Sequence, residues 1–243
     1  MSELRLIYMD HNATTPLDPR ALEAMMPYLT TRFGNASSVS HTFGLEAAAA
    51  VDAGRSRVAT LICATPGEIV FTSGATESDN TAIKGVAWAS RERGRHIITT
   101  SVEHRAVLES CRFLQTEGFQ VTYLPVDPHG MVDPEDVKKA ITPETILISV
   151  MHANSEVGTI QPVRDIGAIA HERGIAFHVD ATQTVGKLPV DVDAIQADFV
   201  AFSGHKIYGP KGVGGLYARR RRRFIPPSSI NSRRKFAIAS SSM

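Results

Sequence analysis

One stretch of the sequence is the most informative about fold and function: Phe202-Ser203-Gly204-His205-Lys206-Ile207-Tyr208-Gly209-Pro210-Lys211-Gly212. It overlaps the end of an apolar run, 198–203, that predicts a buried strand, and its glycines and proline predict the turn that ends this strand. A lysine held in a dry pocket has a pKa below its usual value of about 10.4, and only the neutral amine attacks a carbonyl. Lys206 is therefore a candidate for forming a Schiff base with an aldehyde cofactor. The alternative is an ordinary solvated lysine.

Six further apolar stretches predict strands, and helical patterns separate most of them. The predicted strands are 69–73, 97–100, 120–124, 145–151, 175–180, 198–203 and 213–218, and the predicted helices are 43–64, 76–92, 104–117, 133–140 and 162–173. This alternation predicts an α/β fold with a mostly parallel sheet. The connection from Ser203 to Val213 is too short for a helical crossover, so the last strand should run antiparallel to the one before it.

An acid stands at the end of another predicted strand. Pyridoxal phosphate requires an acid facing its pyridine nitrogen, a cradle for its phosphate and a flat partner for its ring. Asp180 ends strand 175–180, at the edge where open α/β sheets bind ligands. A carboxylate there would keep the pyridine nitrogen protonated, and Gln183 can reach the ring hydroxyl. The alternative for Asp180 is a cap of the following turn.

A phosphate cradle is predicted where strand 69–73 meets helix 76–92. The small residues Ser73-Gly74-Ala75-Thr76 lie at this junction. Free N–H groups and the positive dipole end of the helix, together with the Thr76 hydroxyl, suit a phosphate. Ser203 and His205 can add donors from the neighbouring strand end. An ordinary helix cap is the alternative.

The predicted partner of the ring is His104, which follows strand 97–100. By itself, a histidine at a strand end is more often a satisfied loop residue. However, Thr76, His104, Asp180 and Lys206 all follow strand ends, and capping does not explain the four together.

Other chemistries lack support in the sequence. Residues 204–210 approximate a P-loop, but a proline stands where the lysine belongs. The chain has no Gly-x-Ser-x-Gly and no His-Glu-x-x-His, and no third ligand is visible beside His178 and Asp180, so no metal site is predicted. Cys63 and Cys111 read as small buried residues of helical stretches. Without a CxxC pair, a secretory signal or an apolar run of membrane-spanning length, a cytoplasmic location is expected.

Taken together, these residues resemble a known family, the cysteine desulfurases of the NifS/IscS branch. This branch belongs to the class-V aminotransferases, which are fold-type-I pyridoxal phosphate enzymes. The resemblance covers roughly 5–223, and a Gly-His-Lys followed by Tyr-Gly-Pro-Lys-Gly is typical of this branch. It is carried by the lysine stretch and by Tyr8-Met9-Asp10-His11-Asn12-Ala13-Thr14-Thr15-Pro16, Gly34-Asn35-Ala36-Ser37-Ser38, Ser73-Gly74-Ala75-Thr76-Glu77-Ser78, Val102-Glu103-His104 and His178-Val179-Asp180-Ala181-Thr182-Gln183.

The resemblance implies a large domain with a seven-stranded sheet, one antiparallel strand and helices on both faces. It also implies the roles of individual residues. Lys206 carries the cofactor, His104 stacks on the ring and assists proton transfer, and Asp180 pairs with the pyridine nitrogen. The remaining cofactor contacts are Ala75, Thr76, Ser203 and His205 at the phosphate, and Gln183 and position 155 at the ring hydroxyl. The family usually has asparagine at position 155, whereas this chain has Ser155.

The resemblance further implies a longer protein than this chain. Its remaining part would carry the loop with the sulfur-accepting cysteine, the arginine that clamps the substrate and the rest of a small domain. We therefore expect three regions: 1–16 as the N-terminal segment of the small domain, 17–223 as the cofactor-binding domain, and 224–243 as a disordered basic, serine-rich tail without family resemblance. Residues 219–243 hold eight basic residues and no acid. A frameshift, a basic arm and a split enzyme are the competing explanations.

The expected activity of the family is conversion of L-cysteine to L-alanine, with sulfur passed as a persulfide for iron–sulfur cluster or thio-cofactor assembly. Expected partners are L-cysteine, a sulfur acceptor or scaffold protein and a second copy of the chain, with no membrane. Without the cysteine loop, this chain is expected to be inactive alone. The alternatives are another fold-type-I reaction, such as selenocysteine lysis or transamination, and a non-catalytic protein that binds nucleic acid through its basic tail.

Overall fold

The computed structural model describes residues 6–220 and 224–225. Of the predicted tail, 224–243, only Phe224 and Ile225 are described: the centroid of the Phe224 ring lies 5.5 Å from that of Phe199, and the N–H of Ile225 donates to the carbonyl of Gly85 at 3.1 Å. The part of the tail from 226 onward lies outside the described residues. The helices are α1 (Pro19–Thr30), α2 (Thr42–Leu61), α3 (Ala75–Ser90), α4 (Arg105–Thr116), α5 (Pro134–Ala140) and α6 (Val163–Glu172). The strands are β1 (Ile69–Thr72), β2 (His96–Thr100), β3 (Gln120–Leu124), β4 (Thr145–Met151), β5 (Ala176–Asp180), β6 (Phe199–Ser203) and β7 (Gly214–Ala218).

The seven strands form one sheet in the order β1-β7-β6-β5-β4-β2-β3. β7 runs antiparallel to both of its neighbours, whereas the other pairs are parallel. Between Ser203 and Gly214 the chain forms only a single 3₁₀ turn, Gly204–Lys206, so it has no room for a crossover and must reverse. The predicted mostly parallel sheet and its antiparallel last strand are confirmed.

Helices cover both faces of the sheet because neighbouring residues of each strand point to opposite sides. In β6, Phe199 packs with the apolar residues of α3 and α4, while Val200 packs with those of α2, α5 and α6. In β7, Leu216 and Tyr217 divide between the same two clusters. The five inner strands, β2 and β4–β7, are therefore buried on both faces, whereas the edge strands β1 and β3 are partly exposed.

One helix, α1, was not predicted. Asp18 precedes it and accepts a hydrogen bond of 2.8 Å from the N–H of Arg20, and Pro19 occupies the first helical position. An aspartate cap followed by proline is a typical helix start and was the signal available in the sequence. None of the residues of α1 is buried, although Leu22, Met25, Met26 and Leu29 follow the spacing of an apolar helix face.

The prediction that Cys63 is a buried residue of a helix is wrong. Helix α2 ends at Leu61, before the predicted end at 64, and Cys63 is exposed with a φ of 58°. The N–H of Ala64 bonds the carbonyl of Ala59 at 2.9 Å, which closes the helix around a left-handed residue at position 63. Cys111 is buried in α4, as expected.

The N-terminal segment combines exposed apolar side chains with a fixed attachment. Leu6 and Met9 are 94% and 85% exposed. Further on, the N–H of Thr15 donates to the carbonyl of His205 at 2.8 Å, so the segment is tied to the turn that follows β6. Its assignment to a small domain stays a prediction. Among the described residues, no helix has the length and apolar character needed to cross a membrane.

Candidate active site

The carboxyl ends of the parallel strands meet at one edge of the sheet. Met151 at the end of β4 pairs with Asp180 at the end of β5, and Asp180 pairs with Ala201 of β6. Gly214 pairs with both Thr72 and Ser203, which brings the start of α3 beside the turn after β6. Side chains that follow different strands therefore converge, as the topology of an open α/β sheet predicts.

Gly214 allows this convergence. A Cβ atom at position 214 would lie 2.6 Å from the Cα of Gly74, closer than real Cβ contacts. Gly74 itself has a φ of 155° and immediately precedes α3. Only a residue without a side chain lets β7 approach the start of α3 this closely.

A cavity of about 980 Å³ opens at this edge. All nine residues that the sequence analysis assigned to the cofactor line it: Ala75, Thr76, His104, Ser155, Asp180, Gln183, Ser203, His205 and Lys206. Its volume lies within the range of small-molecule and cofactor pockets. The structure thus brings the predicted residues together, while their individual roles stay predictions.

Lys206 lies on the 3₁₀ turn after β6 and faces the cavity. Burial lowers the pKa of its amine, and the charge of Lys187 lowers it further, while Asp180, Asp10 and Glu156 act in the opposite direction. A larger fraction of the amine is therefore neutral than for a solvated lysine. This is the protonation state in which an amine reacts with a carbonyl.

Asn12 is a site residue that sequence reasoning did not single out. Its main-chain carbonyl accepts hydrogen bonds from the Lys206 amine and, at 2.9 Å, from the Gln183 side-chain amide. Its own side-chain amide donates to the carbonyl of Ser155 at 3.2 Å. The N-terminal segment therefore forms one wall of the cavity. It was found only through these contacts, because Asn12 is 194 residues from Lys206 in sequence.

The start of α3 presents to the cavity backbone N–H groups that have no acceptor within the helix. The first hydrogen bond of helical type runs from the N–H of Ser78 to the carbonyl of Gly74, so the N–H groups of Ala75, Thr76 and Glu77 lie ahead of it. The N–H of Ala75 donates to Ser203 Oγ at 3.3 Å. These amides and the helix dipole form an anion-binding end.

One acid stands close to this anion-binding end. Glu77 Oε2 accepts hydrogen bonds of 2.7 Å from both the N–H and the hydroxyl of Ser73. These bonds lower the pKa of Glu77 and hold its carboxylate on the loop that precedes the helix. The carboxylate is therefore bound by its own loop.

The two histidines of the cavity are held by hydrogen bonds. His104 caps α4, and its Nδ1 accepts from the N–H of Ala106 at 3.1 Å, which leaves Nε2 to carry the proton of the neutral ring. His205 Nδ1 lies 3.2 Å from the Thr14 hydroxyl. Burial lowers the pKa of His205, and the charges of Lys206 and Lys211 lower it further. A neutral imidazole at position 205 can donate one proton.

Asp180 ends β5 and is 6% exposed. Its Oδ1 accepts a hydrogen bond of 3.0 Å from the N–H of Thr182. The hydroxyl of Thr182 lines the same cavity, is buried and has no hydrogen-bond partner among the described residues. The hydroxyl of Ser155, which also lines the cavity, donates to Glu156 at 3.3 Å. A carboxylate and an unpaired hydroxyl thus face the interior from neighbouring positions.

Two buried acids behind the cavity were missed by sequence reasoning. Glu103 Oε1 accepts hydrogen bonds from the Thr100 hydroxyl at 2.7 Å and from the N–H of Met151 at 2.9 Å. Burial raises the pKa of Glu103 to about 8. Asp79, in the second turn of α3, is fully buried. Acids in helical and loop segments normally indicate solvated positions, so the sequence carried no local signal for them.

Asp79 lies close to two residues of the cavity wall. Asp79, His104 and Asp180 each bring one oxygen or nitrogen atom within 4.8 Å of the others. Such spacing would allow a metal ion, but His104 and Asp180 belong to the wall of the cofactor cavity, and we assign no metal to it.

A lysine, an acid and a helix start meet at one sheet edge, as the sequence analysis predicted for a pyridoxal phosphate site. The chain belongs to the class-V aminotransferase family, whose model matches residues 7–236 and therefore extends past position 223. Membership of this family implies pyridoxal phosphate as the cofactor. The family resemblance seen in the sequence is confirmed.

Curated relatives of the chain include cysteine desulfurases. The chain is 56% identical over 225 residues to the cysteine desulfurase IscS of Rickettsia felis, a match that covers 93% of this chain and 55% of the relative. It is 55% identical over 217 residues to the IscS of Anaeromyxobacter dehalogenans, covering 89% and 54%. The chain spans about half the length of the curated relatives it matches.

Solved structures agree with this assignment. SspA in complex with cysteine superimposes with a TM-score of 0.88 at 44% identity, over 90% of this chain and 64% of that chain. The apo structure of the cysteine desulfurase from Thermococcus onnurineus NA1 gives a TM-score of 0.84 at 35% identity, over 91% and 56%. These matches confirm the predicted fold.

Proposed function

We propose that this chain is the pyridoxal phosphate-binding part of a cysteine desulfurase, which converts L-cysteine to L-alanine and passes the sulfur on as a persulfide. The observation that carries the proposal is that the Lys206 amine, Asp180 and the N-terminus of α3 line one cavity. The similarity to cysteine desulfurases, including a structure in complex with cysteine, supports the choice of substrate.

The residues of the cavity fit the cofactor. The free N–H groups at the start of α3, with Thr76, Ser203 and His205, would hold a phosphate dianion. Asp180 would keep a proton on the pyridine nitrogen, because a carboxylate beside it favours the charged form. Beside Asp180, the hydroxyl of Thr182 has no hydrogen-bond partner among the described residues, so this part of the wall has unused hydrogen-bonding capacity.

Gln183 and Ser155 would address the hydroxyl of the ring, and His104 would lie against its face. Bound pyridoxal phosphate supplies an electron sink for the carbanion formed at the substrate. The Lys206 amine would hold the cofactor and, when it is free, accept or return a proton at its Nζ. The lowered pKa of Lys206 suits this role.

The cavity contains no thiol for sulfur transfer. The chain has two cysteines, and neither Cys63, exposed after α2, nor Cys111, buried in α4, lines the cavity. Burial raises the pKa of Cys111 to about 12, which keeps it in the unreactive thiol form. We therefore infer that this chain alone binds the cofactor without transferring sulfur, and that the accepting thiol comes from outside residues 1–243.

We also propose a cytoplasmic location, a sulfur-acceptor or scaffold protein as partner and assembly with a second copy of the chain. Exposed apolar side chains support a partner surface near the N-terminus. Leu6, Met9 and Phe33 are 94%, 85% and 72% exposed, more than apolar residues of this size usually are when they pack on their own chain.

The proposal is tested by adding pyridoxal phosphate to the purified chain. We expect a visible absorption band, loss of that band on borohydride reduction, and a covalent label that peptide mapping finds at Lys206. Lys211 also lines the cavity, so Lys211→Ala is the matched control and should keep the label, whereas Lys206→Ala should lose it. Labelling at another residue contradicts the assignment.

The substrate and the activity are tested separately. L-Cysteine, selenocysteine and an amino acid with a keto acid are each offered to the reconstituted chain. A change of the visible band with L-cysteine, without release of sulfide, supports the proposal. Sulfide release contradicts the inference that the chain transfers no sulfur. A response only to selenocysteine, or transfer of the amino group to the keto acid, would instead identify another reaction of the fold.

A further inference from the structure

Asp79 is a fully buried acid that the proposed chemistry does not use. It lies in the second turn of α3, whose first turn forms the anion-binding end of the cavity. Neither of its carboxyl oxygens has a hydrogen-bond partner among the described residues. Since an unpaired polar group in a dry interior costs free energy, its retention here calls for a specific role.

The nearest polar group is the imidazole of His178 in β5. Asp79 Oδ1 lies 3.3 Å from His178 Nε2, and both side chains are fully buried. The other ring nitrogen, Nδ1, lies 2.8 Å from the hydroxyl of Ser149 in β4. Acid, imidazole and hydroxyl therefore form a buried row that crosses from α3 to the centre of the sheet.

This row lies directly behind the acid of the cavity. His178 and Asp180 are two residues apart in β5 and so point to the same face of the sheet. Asp79 also brings an oxygen within 4.8 Å of Asp180. Asp180 lines the cavity and accepts a hydrogen bond from the N–H of Thr182. Asp79 does not line the cavity and accepts no hydrogen bond from an N–H among the described residues.

Two carboxyl groups at this separation in a dry interior do not both ionise readily. Burial raises the pKa of Asp79 well above its usual value, and the charges of Asp180 and Glu103 raise it further. Burial lowers the pKa of His178 to about 3, so its ring is neutral. Of the two aspartates, Asp180 accepts a hydrogen bond from a backbone N–H and lines the cavity. The geometry therefore favours Asp180 as the group that carries the negative charge.

We propose that Asp79 is a positioning residue that acts through His178 and Asp180. As an uncharged carboxylic acid it donates a hydrogen bond to His178 Nε2, which fixes the imidazole behind Asp180. The negative charge at this strand end is then left to Asp180, where it faces the cavity. The inference rests on the proposed function, because the purpose of that charge is to hold a proton on the cofactor's ring nitrogen.

The protonation of Asp79 is tested on the full chain without cofactor. Because the buried Glu103 also holds a proton at neutral pH, the spectra are taken in a Glu103→Gln background. Infrared spectroscopy should still show there the carbonyl band of a buried protonated carboxyl group at neutral pH, and adding Asp79→Asn should remove it. Asp52→Asn, at an exposed position of α2, is the matched control and should leave the band unchanged. If adding Asp79→Asn leaves the spectrum of the Glu103→Gln background unchanged, Asp79 is ionised and the inference is wrong.

The positioning role is tested by titrating the wild type and the single Asp79 variants with pyridoxal phosphate. Asparagine can donate to His178, so Asp79→Asn should keep the affinity and the absorption maximum. Asp79→Ala removes the donor and should weaken binding about tenfold, as expected for a lost buried hydrogen bond, and shift the band. Equal affinity in both variants overturns the positioning role. If the wild type itself does not bind the cofactor, the proposed function fails, while the infrared result still decides the charge of Asp79.

Discussion

The main-chain N–H of Ala75 donates a hydrogen bond of 3.3 Å to the Oγ of Ser203, across 128 residues of sequence. It joins the start of α3 to the end of β6 and so connects the predicted phosphate cradle with the lysine turn. The contact is possible because β7 lies between β1 and β6 and begins with Gly214.

Replacing this hydroxyl should affect cofactor binding more than folding. Ser203→Ala removes the acceptor of the Ala75 N–H and a predicted donor to the phosphate, so we expect about a fivefold to tenfold weaker binding of pyridoxal phosphate. The loss of unfolding free energy should be about 1 kcal/mol. Fluorescence titration and urea denaturation measure the two effects. Ser56→Ala, at an exposed site of α2, should change neither. Unchanged affinity for Ser203→Ala would remove Ser203 from the cradle.

The attachment of the N-terminal segment to the lysine turn should stabilise the fold. The Thr15 hydroxyl donates to the carbonyl of His205 at 2.9 Å and accepts from the N–H of Tyr208 at 2.8 Å, and Thr15 is 5% exposed. Thr15→Val keeps the shape but leaves the N–H of Tyr208 without its acceptor, while the carbonyl of His205 keeps the N–H of Thr15, so unfolding free energy should fall by about 1–2 kcal/mol. Urea denaturation checks this, with Thr31→Val, at an exposed position, as control. A loss equal to that of the control would show that this segment does not hold the turn.

The left-handed residue after α2 offers a route to higher stability. Cys63 has a φ of 58°, a conformation that costs residues with a Cβ roughly 1–2 kcal/mol. Cys63→Gly should therefore raise the unfolding free energy by up to about 1 kcal/mol after the entropy cost of glycine, which is measured as a higher midpoint temperature of thermal unfolding. Cys63→Ala removes the same thiol but keeps the Cβ, and it should leave stability unchanged. Equal stabilisation by both variants would assign the effect to the thiol instead.

Glu103 should make stability depend on pH. Burial raises its pKa from 4.5 to about 8. Between these values the folded chain holds a proton that the unfolded chain has released, so stability falls as pH rises through this range. The full slope is about 1.4 kcal/mol per pH unit. Glu103→Gln should lack this component, so the wild type should lose stability relative to the variant between about pH 5 and pH 8.

Urea denaturation at several pH values measures the comparison for Glu103. The exposed Glu92 provides the control, since Glu92→Gln should run parallel to the wild type over the same range. Parallel curves for Glu103→Gln and the wild type would mean that Glu103 titrates near its usual value in the folded chain.

Much of the fold follows from local pattern. The seven strands were predicted within a residue or so of their ends because β5 and its neighbours are buried on both faces and read as unbroken apolar runs. Helix α1 was missed although two signals were available, its Asp18 cap and the helical spacing of Leu22, Met25, Met26 and Leu29. The end of α2 was misplaced because Cys63, not glycine, occupies the left-handed position.

The sequence by itself determined the family, the sheet and the residues that follow its strands, including Lys206 and Asp180. It could do so because parallel strands bring their carboxyl ends to one edge whatever the details of packing. Only the tertiary structure decided that the carbonyl of Asn12 meets Lys206 and that Asp79 lies unpaired behind Asp180. Packing decides which distant segments come into contact, and such contacts do not produce a periodic pattern in the sequence. The lysine stretch therefore predicted the cavity, but not the acid behind it.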